Sequence, residues 1–213
     1  MRCWYFTLCW FALCALAGAE EPPHYTFLPP PPGTIVQSRL VYLAGEAMHS
    51  QWRGVLSKKL VGIANGTAFY QWYLSFYAID GTIYRLKYRS PDSRIPFDRV
   101  IKARGASLWF PLQSASIAGV GEFMGAGAQQ LVVQSRQITS GCGTARVDVF
   151  FFDAAMQVVM TTLSVENRCD LAASVIPQAS GDALRLTAPH ETAILRFHNG
   201  TWTEHPKYFK ILE

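Results

Sequence analysis

Beyond its first nineteen residues the chain is patterned in twos. Drawn as a strand, Thr82–Arg89 sends Tyr84, Leu86 and Tyr88 one way and Arg85, Lys87 and Arg89 the other, the alternation of a half-buried sheet. Asp80-Gly81 precedes it and accepts the positive φ angles of a tight turn, so Trp72–Ile79 is predicted to return through Thr82–Arg89 as a hairpin. Asn65-Gly66 and Asn199-Gly200 repeat that turn chemistry between β-branched or aromatic residues. Arg146–Phe152 reads as a strand, Asp153-Ala154-Ala155 as its turn and Gln157–Val165 as its return. Leu108–Phe110, Leu131–Gln134, Ala183–Thr187 and Ala193–Phe197 add short strands. Roughly eight to ten strands with short turns predict a mainly β fold: an antiparallel sandwich, a barrel or partial propeller-like sheets.

One stretch carries both periods. Ile35–Leu43 reads as a strand, yet Leu40, Leu43, Ala44, Ala47, Met48, Trp52 and Leu56 recur at helical spacing, with Gly45 and Gly54 interrupting either element. One short helix within Thr34–Ile63 is therefore allowed, near the amino terminus of the folded domain.

The ends of the pattern set the boundaries. Arg2 followed by the apolar run Cys3–Leu16, broken only by Thr7, and then by Ala17-Gly18-Ala19, has the form of a signal peptide cut after residue 19. Cys3–Ala19 is also at the short edge of what spans a bilayer, the competing reading as an uncleaved anchor. Cleavage implies an exported protein, periplasmic or extracellular, with no membrane span left. Residues 20–33 hold six prolines and predict an extended leader of polyproline type. Residues 34–213 are then a single β-rich domain.

Export also decides the cysteines. Cleavage removes three of five and leaves Cys142 and Cys169, an even number in an oxidising compartment. Facing residues of an antiparallel hairpin have a constant index sum, and 311 for this pair centres the turn between Ala155 and Met156, where the strand pattern breaks. A Cys142–Cys169 disulfide is expected to staple the open end of that hairpin, contributing about 3.5 kcal/mol by the chain-entropy estimate.

Gly121-Glu122-Phe123-Met124-Gly125-Ala126-Gly127-Ala128-Gln129-Gln130-Leu131-Val132-Val133 resembles the FG-GAP/VCBS blade motif of integrin-type β-propellers, G-D-F-N-G-D-G-x-x-D-L-x-V. Gly121, Phe123, Gly125, Gly127, Leu131 and Val133 match its backbone and packing positions. In that family the loop holds calcium; here Met124, Ala126 and Gln130 replace the Asn, Asp and Asp of the pattern, leaving Glu122 as the anionic donor. The resemblance implies blade-like β structure. With calcium needing six to eight oxygens, it implies no metal or other cofactor.

Chemistry elsewhere is sparse. His190, Glu191, His198 and His205 lack the spacing of a zinc helix, and Asp148 with Asp153 or Glu166 offers only a nominal carboxylate dyad. No nucleophile elbow, phosphate loop or dinucleotide fingerprint is present. Charge is more informative: Arg85, Lys87, Arg89, Arg94, Arg99, Lys102 and Arg104 face only Asp92 and Asp98 within one segment of a chain whose net charge is +4. With 16% charged residues, wholesale wrapping of nucleic acid is not expected. Tyr84, Tyr88, Phe97 and Trp109 interleave with the cations and suit stacking or cation–π contacts. The expected function is a non-enzymatic exported domain whose basic hairpin face binds an anionic envelope polymer, a lipid headgroup or an acidic protein. A secreted hydrolase built from scattered acids or histidines is one alternative, and a purely structural envelope protein is another.

Overall fold

The structure, a computed structural model, describes residues 25–43, 51–64, 67–90, 112–125, 127–137, 144–152, 157–166, 170–179, 181–198, 201–203 and 211–212. These form strands β1 (Thr26–Leu28), β2 (Thr34–Tyr42), β3 (Gln51–Ala64), β4 (Thr67–Asp80), β5 (Ile83–Arg89), β6 (Leu112–Gly121) and β7 (Gln130–Gln137). They continue with β8 (Thr144–Phe152), β9 (Val158–Glu166), β10 (Ala172–Ile176), β11 (Ala183–Ala188), β12 (Glu191–His198), β13 (Thr201–Thr203) and β14 (Ile211–Leu212), with no helix among the described residues. The mainly β expectation holds.

Three successive four-stranded meanders make three sheets. The amino-terminal sheet runs β1-β5-β4-β3-β2, the central sheet β14-β9-β8-β7-β6 and the carboxy-terminal sheet β10-β11-β12-β13. All pairings are antiparallel except β1 with β5. The central sheet is covered on both faces. Ala115, Ile117, Leu131, Val133 and Phe150 pack on Val41, Trp52, Leu56, Leu74 and Phe76 of the amino-terminal sheet. Val132, Val147, Val149 and Phe151 pack on Leu184, Leu186, Leu195 and Trp202 of the carboxy-terminal sheet. Double coverage explains the unbroken apolar run Val149–Phe152 in the second half of β8.

The first strands of the three meanders stand side by side. Gln37 of β2 accepts the Ile117 N–H of β6 through Oε1, and Gln134 of β7 accepts the Ala173 N–H of β10 at 2.8 Å. A Cβ at Gly119 or Gly121 of β6 would lie 2.8 or 2.6 Å from a Val175 methyl of β10, so this approach requires glycine.

The helix allowed within Thr34–Ile63 is replaced by β2 and β3; Ala44–Ser50 lie outside the described residues. Trp52 and Leu56 share the inner face because a spacing of four fits a period of two as well as 3.6. Strands β8 and β9 form the expected hairpin, with paired indices summing to 310 rather than 311. Cys142, Cys169 and Asp153-Ala154-Ala155 lie outside the described residues, as do the signal segment 1–19 and Leu108–Phe110. Residues 20–24 of the proline-rich segment lie outside the described residues, and from Tyr25 onward its extended chain packs on the domain. There β1 joins the sheet edge, and Thr26 N–H donates to Thr82 C=O at 3.1 Å.

Candidate anion-binding face

Charge is distributed unevenly over the stack. Strands of the amino-terminal sheet carry seven cations, Arg39, Arg53, Lys58, Lys59, Arg85, Lys87 and Arg89, against one carboxylate, Asp80. Those of the central sheet carry two of each sign, and those of the carboxy-terminal sheet two cations and one acid.

The outer face of the amino-terminal sheet has its own small core of Val55, Tyr77 and Tyr84, on which Phe27, Ile79 and Leu86 pack. Phe27 stacks on Tyr84 with ring centroids 4.8 Å apart and meets Tyr77 edge-on at the same distance. Two half-buried guanidinium groups border this core. Arg53 Nε donates to Tyr84 Oη at 2.9 Å and Nη1 to Ser38 Oγ at 3.1 Å. Arg89 Nε donates to Ser75 Oγ at 3.2 Å, and Nη2 to Pro30 C=O at 2.9 Å and Tyr77 Oη at 3.1 Å. Tyr77 Oη in turn donates to Pro29 C=O at 3.0 Å. Among the described residues every acceptor of these two guanidiniums is a neutral oxygen, so their charge is not neutralised locally.

The sequence pattern placed Arg85, Lys87 and Arg89 together, opposite Tyr84, Leu86 and Tyr88. A bulge corrects this. Tyr77 pairs with Leu86 and Phe76 with Tyr88, leaving Lys87 as the extra residue and reversing the faces beyond it. Arg89 therefore shares the outer face with Tyr84 and Leu86, while Tyr88 turns inward beside Phe76. Burial, and secondarily the charge of Asp148, raises the Tyr88 pKa above its ordinary value. Arg85 is exposed and pairs with Asp80 at 2.8 Å, a surface bridge of little energetic weight. Lys87 is exposed. Arg94, Arg99, Lys102 and Arg104 lie outside the described residues.

Cross-strand pairing brings in four cations that the sequence reading left out, Arg53 and Lys59 on the outer side with Arg89, and Arg39, opposite Gly54, and Lys58, opposite Trp72, on the side of the central sheet. The available signal was the near absence of acids: Thr34–Ile79 contains these four cations and Glu46 alone among carboxylates.

Among the described residues the other candidates do not converge. Gly121–Val133 spans the end of β6, a loop and the start of β7, and Glu122, Gly125, Gln178, Ala179, Gly181 and Asp182 line a hollow of about 260 Å³ there. Backbone N–H groups engage its carboxylates. Glu122 Oε1 accepts from Gly127 at 2.6 Å, and Asp182 accepts from Glu122 at 2.8 Å and from Gln178 at 3.3 Å. Gln130, at a ligand position of the blade pattern, instead braces the loop, accepting the Phe123 N–H at 2.7 Å and donating to Ala128 C=O at 2.7 Å. Positive φ angles at Gly125 and Gly127 allow the fold-back. No metal-sized group of three His, Cys, Asp or Glu side chains occurs among the described residues. His190 and His198 stand at opposite ends of β12, and His205 lies outside the described residues. Asp148 is fully buried against Arg146, Nη2 to Oδ1 2.7 Å, and Asp153 lies outside the described residues.

No family model, no curated protein and no solved structure matches the chain.

Proposed function

We propose that this chain is an exported, non-enzymatic β protein that binds an anionic component of the cell envelope through its amino-terminal sheet. The carrying observation is the charge asymmetry: seven cations and one carboxylate on one sheet, beside near balance on the other two. A sheet needs a few lysines to stay soluble, but an edge-protection role does not require half-buried guanidiniums on β3 and β5 whose acceptors are all neutral among the described residues. Summed over one end of a small domain, such charge attracts polyanions and speeds their encounter. The signal-like residues 1–19 support export, and the blade resemblance enters as scaffold: three stacked meanders hold the basic sheet at one end.

The test uses soluble polyphosphate as probe. Arg39, Lys59 and Lys87 are exposed cations spread over three strands, so changing each to Gln removes charge without removing packing. The parent is expected to bind polyphosphate with affinity that falls as salt rises, since exposed charges are screened within about 10 Å at 0.1 M. The triple variant is expected to bind about tenfold more weakly. A parent that ignores polyphosphate at low salt, or a variant that binds like the parent, overturns the reading.

A further inference from the structure

The β3–β4 hairpin outruns the sheet that covers it. On the inner face Leu56 is 1% exposed, while farther along the same face Leu60 is 50% and Ile63 69% exposed. Their common side is set by a bulge. Leu60 pairs with Tyr70 and Gly62 with Phe69, which leaves Val61 as the extra residue, and Ile63 then pairs with Ala68. Without that extra residue Ile63 would point to the opposite face. Behind the two aliphatic residues the Lys58 ammonium lies over the rings of Tyr70, 4.4 Å to the centroid, and Trp72, 5.7 Å. Lys59 is exposed on the opposite face of the same strand, and neither strand contains a carboxylate before Asp80 at the far end of β4.

We infer that this hairpin end is a membrane-docking tip, in which Leu60 and Ile63 enter the interfacial region of a bilayer while Lys58 and Lys59 meet anionic headgroups. The end of the hairpin carries the mixed chemistry of a membrane surface: Ile63 lies outermost, Leu60 stands level with Tyr70, and Lys58, level with Trp72, reaches along the Tyr70 ring on a flexible stem. Charge complementarity selects an anionic bilayer over a neutral one. Exposed leucine and isoleucine select a bilayer over a hydrophilic polymer, which has no apolar region to receive them. The inference rests on the anion-binding reading and narrows its ligand to a lipid surface.

The experiment measures cosedimentation of the full exported chain with vesicles of phosphatidylcholine containing about a third phosphatidylglycerol, with pure phosphatidylcholine vesicles and soluble polyphosphate in parallel. The parent is expected to bind the anionic vesicles and not the neutral ones. Leu60→Asn/Ile63→Asn is expected to lose about tenfold or more on vesicles while keeping parental affinity for polyphosphate. Ile63→Trp is expected to bind vesicles several-fold more tightly, a gain that misfolding does not produce. Parental vesicle binding by the double Asn variant overturns the tip, as does binding of polyphosphate without binding of anionic vesicles; both leave the basic-sheet reading standing. Failure to bind polyphosphate and vesicles alike overturns that reading together with the tip. If the double Asn change instead converts a dimer to a monomer in sedimentation velocity with vesicle binding unaltered, the patch belongs to a second copy and the inference is wrong.

Discussion

The two outer sheets meet the same central sheet and are built on opposite rules. In the carboxy-terminal sheet β10, β11 and β12 pair without a register shift, and β11 and β12 alternate buried with exposed positions. Its outer face presents Arg185, Thr187, Thr192 and Arg196 to solvent, with Arg185 donating to Ser174 and Arg196 to Gln178. The amino-terminal sheet has a register shift in each antiparallel pairing, around Val36, Val61 and Lys87. Its outer face holds a second core, closed by the segment from Tyr25 to Gly33. One sheet ends the stack against water. The other gathers cations and re-aims its side chains at each bulge, which is where such irregularities earn a functional reading.

The most severe way to disturb this contrast is at the joint between the amino-terminal and central sheets. Arg146 and Asp148 are buried on the face of β8 that carries Phe150, toward the basic sheet. Asp148→Ala leaves a guanidinium buried without its carboxylate and is expected to cost about 3–5 kcal/mol, read by urea denaturation. Thr187→Ala on the outer carboxy-terminal face is expected to stay within about 0.5 kcal/mol. Equal effects would erase the distinction between joint and solvated face.

A second effect tests the hairpin on which both outer sheets depend. Thr144 and Glu166 close the paired region of β8 and β9, two residues from Cys142 and three from Cys169. A bridge between those cysteines is expected in the exported protein, seen as one linked peptide pair under non-reducing mapping. Replacing both by Ser is expected to cost about 3.5 kcal/mol. Free alkylation of both thiols in the native protein would remove this prediction.

The contrast between the sheets also explains what was legible. Strands β11 and β12 follow a strict period of two, so sequence placed both within two residues, while the short flanking strands β10 and β13 were not assigned. Strands β8 and β9 were equally plain. β6 was missed because its residues beside the other meanders are small; Gly119 and Gly121 are there for Val175, a neighbour that sequence spacing does not reveal. The basic site was half legible. Arg85, Lys87 and Arg89 stood out as a run, but a single extra residue at Lys87 moved Arg89 across the sheet, and Arg53 joined it only through pairing of β3 with Tyr77 of β4. The proline segment gave no sign that Tyr77 and Arg89 would hold its carbonyls.

A smaller effect is expected from opening the second core alone. Phe27→Ala removes the ring that packs on Tyr77 and Tyr84, and about 2 kcal/mol is expected to be lost. Hydrogen exchange should then rise first in β5, where β1 pairs, and remain unchanged in β11 and β12. Uniform acceleration through all three sheets would show that the segment supports the whole fold and not this sheet.

The smallest effect on stability comes from exchanging surface charge, and it bears most directly on what the asymmetry is for. Arg39, Lys59 and Lys87 are exposed on the basic sheet, and Arg185 and Arg196 are exposed on the opposite end of the stack. Changing either set to Gln is expected to leave stability within about 0.5 kcal/mol per substitution, because no core contact is removed. Binding should separate them. Loss of Arg185 and Arg196 is expected to leave polyphosphate affinity near parental, since Arg185 pairs with Ser174 and Ile194 and Arg196 with Thr203, and the strands of that sheet carry no further cation. Loss of Arg39, Lys59 and Lys87 takes three of seven cations from one sheet and is expected to weaken binding and flatten its salt dependence. If both sets weaken binding alike, the protein responds to net charge alone and the bulged sheet confers no special site.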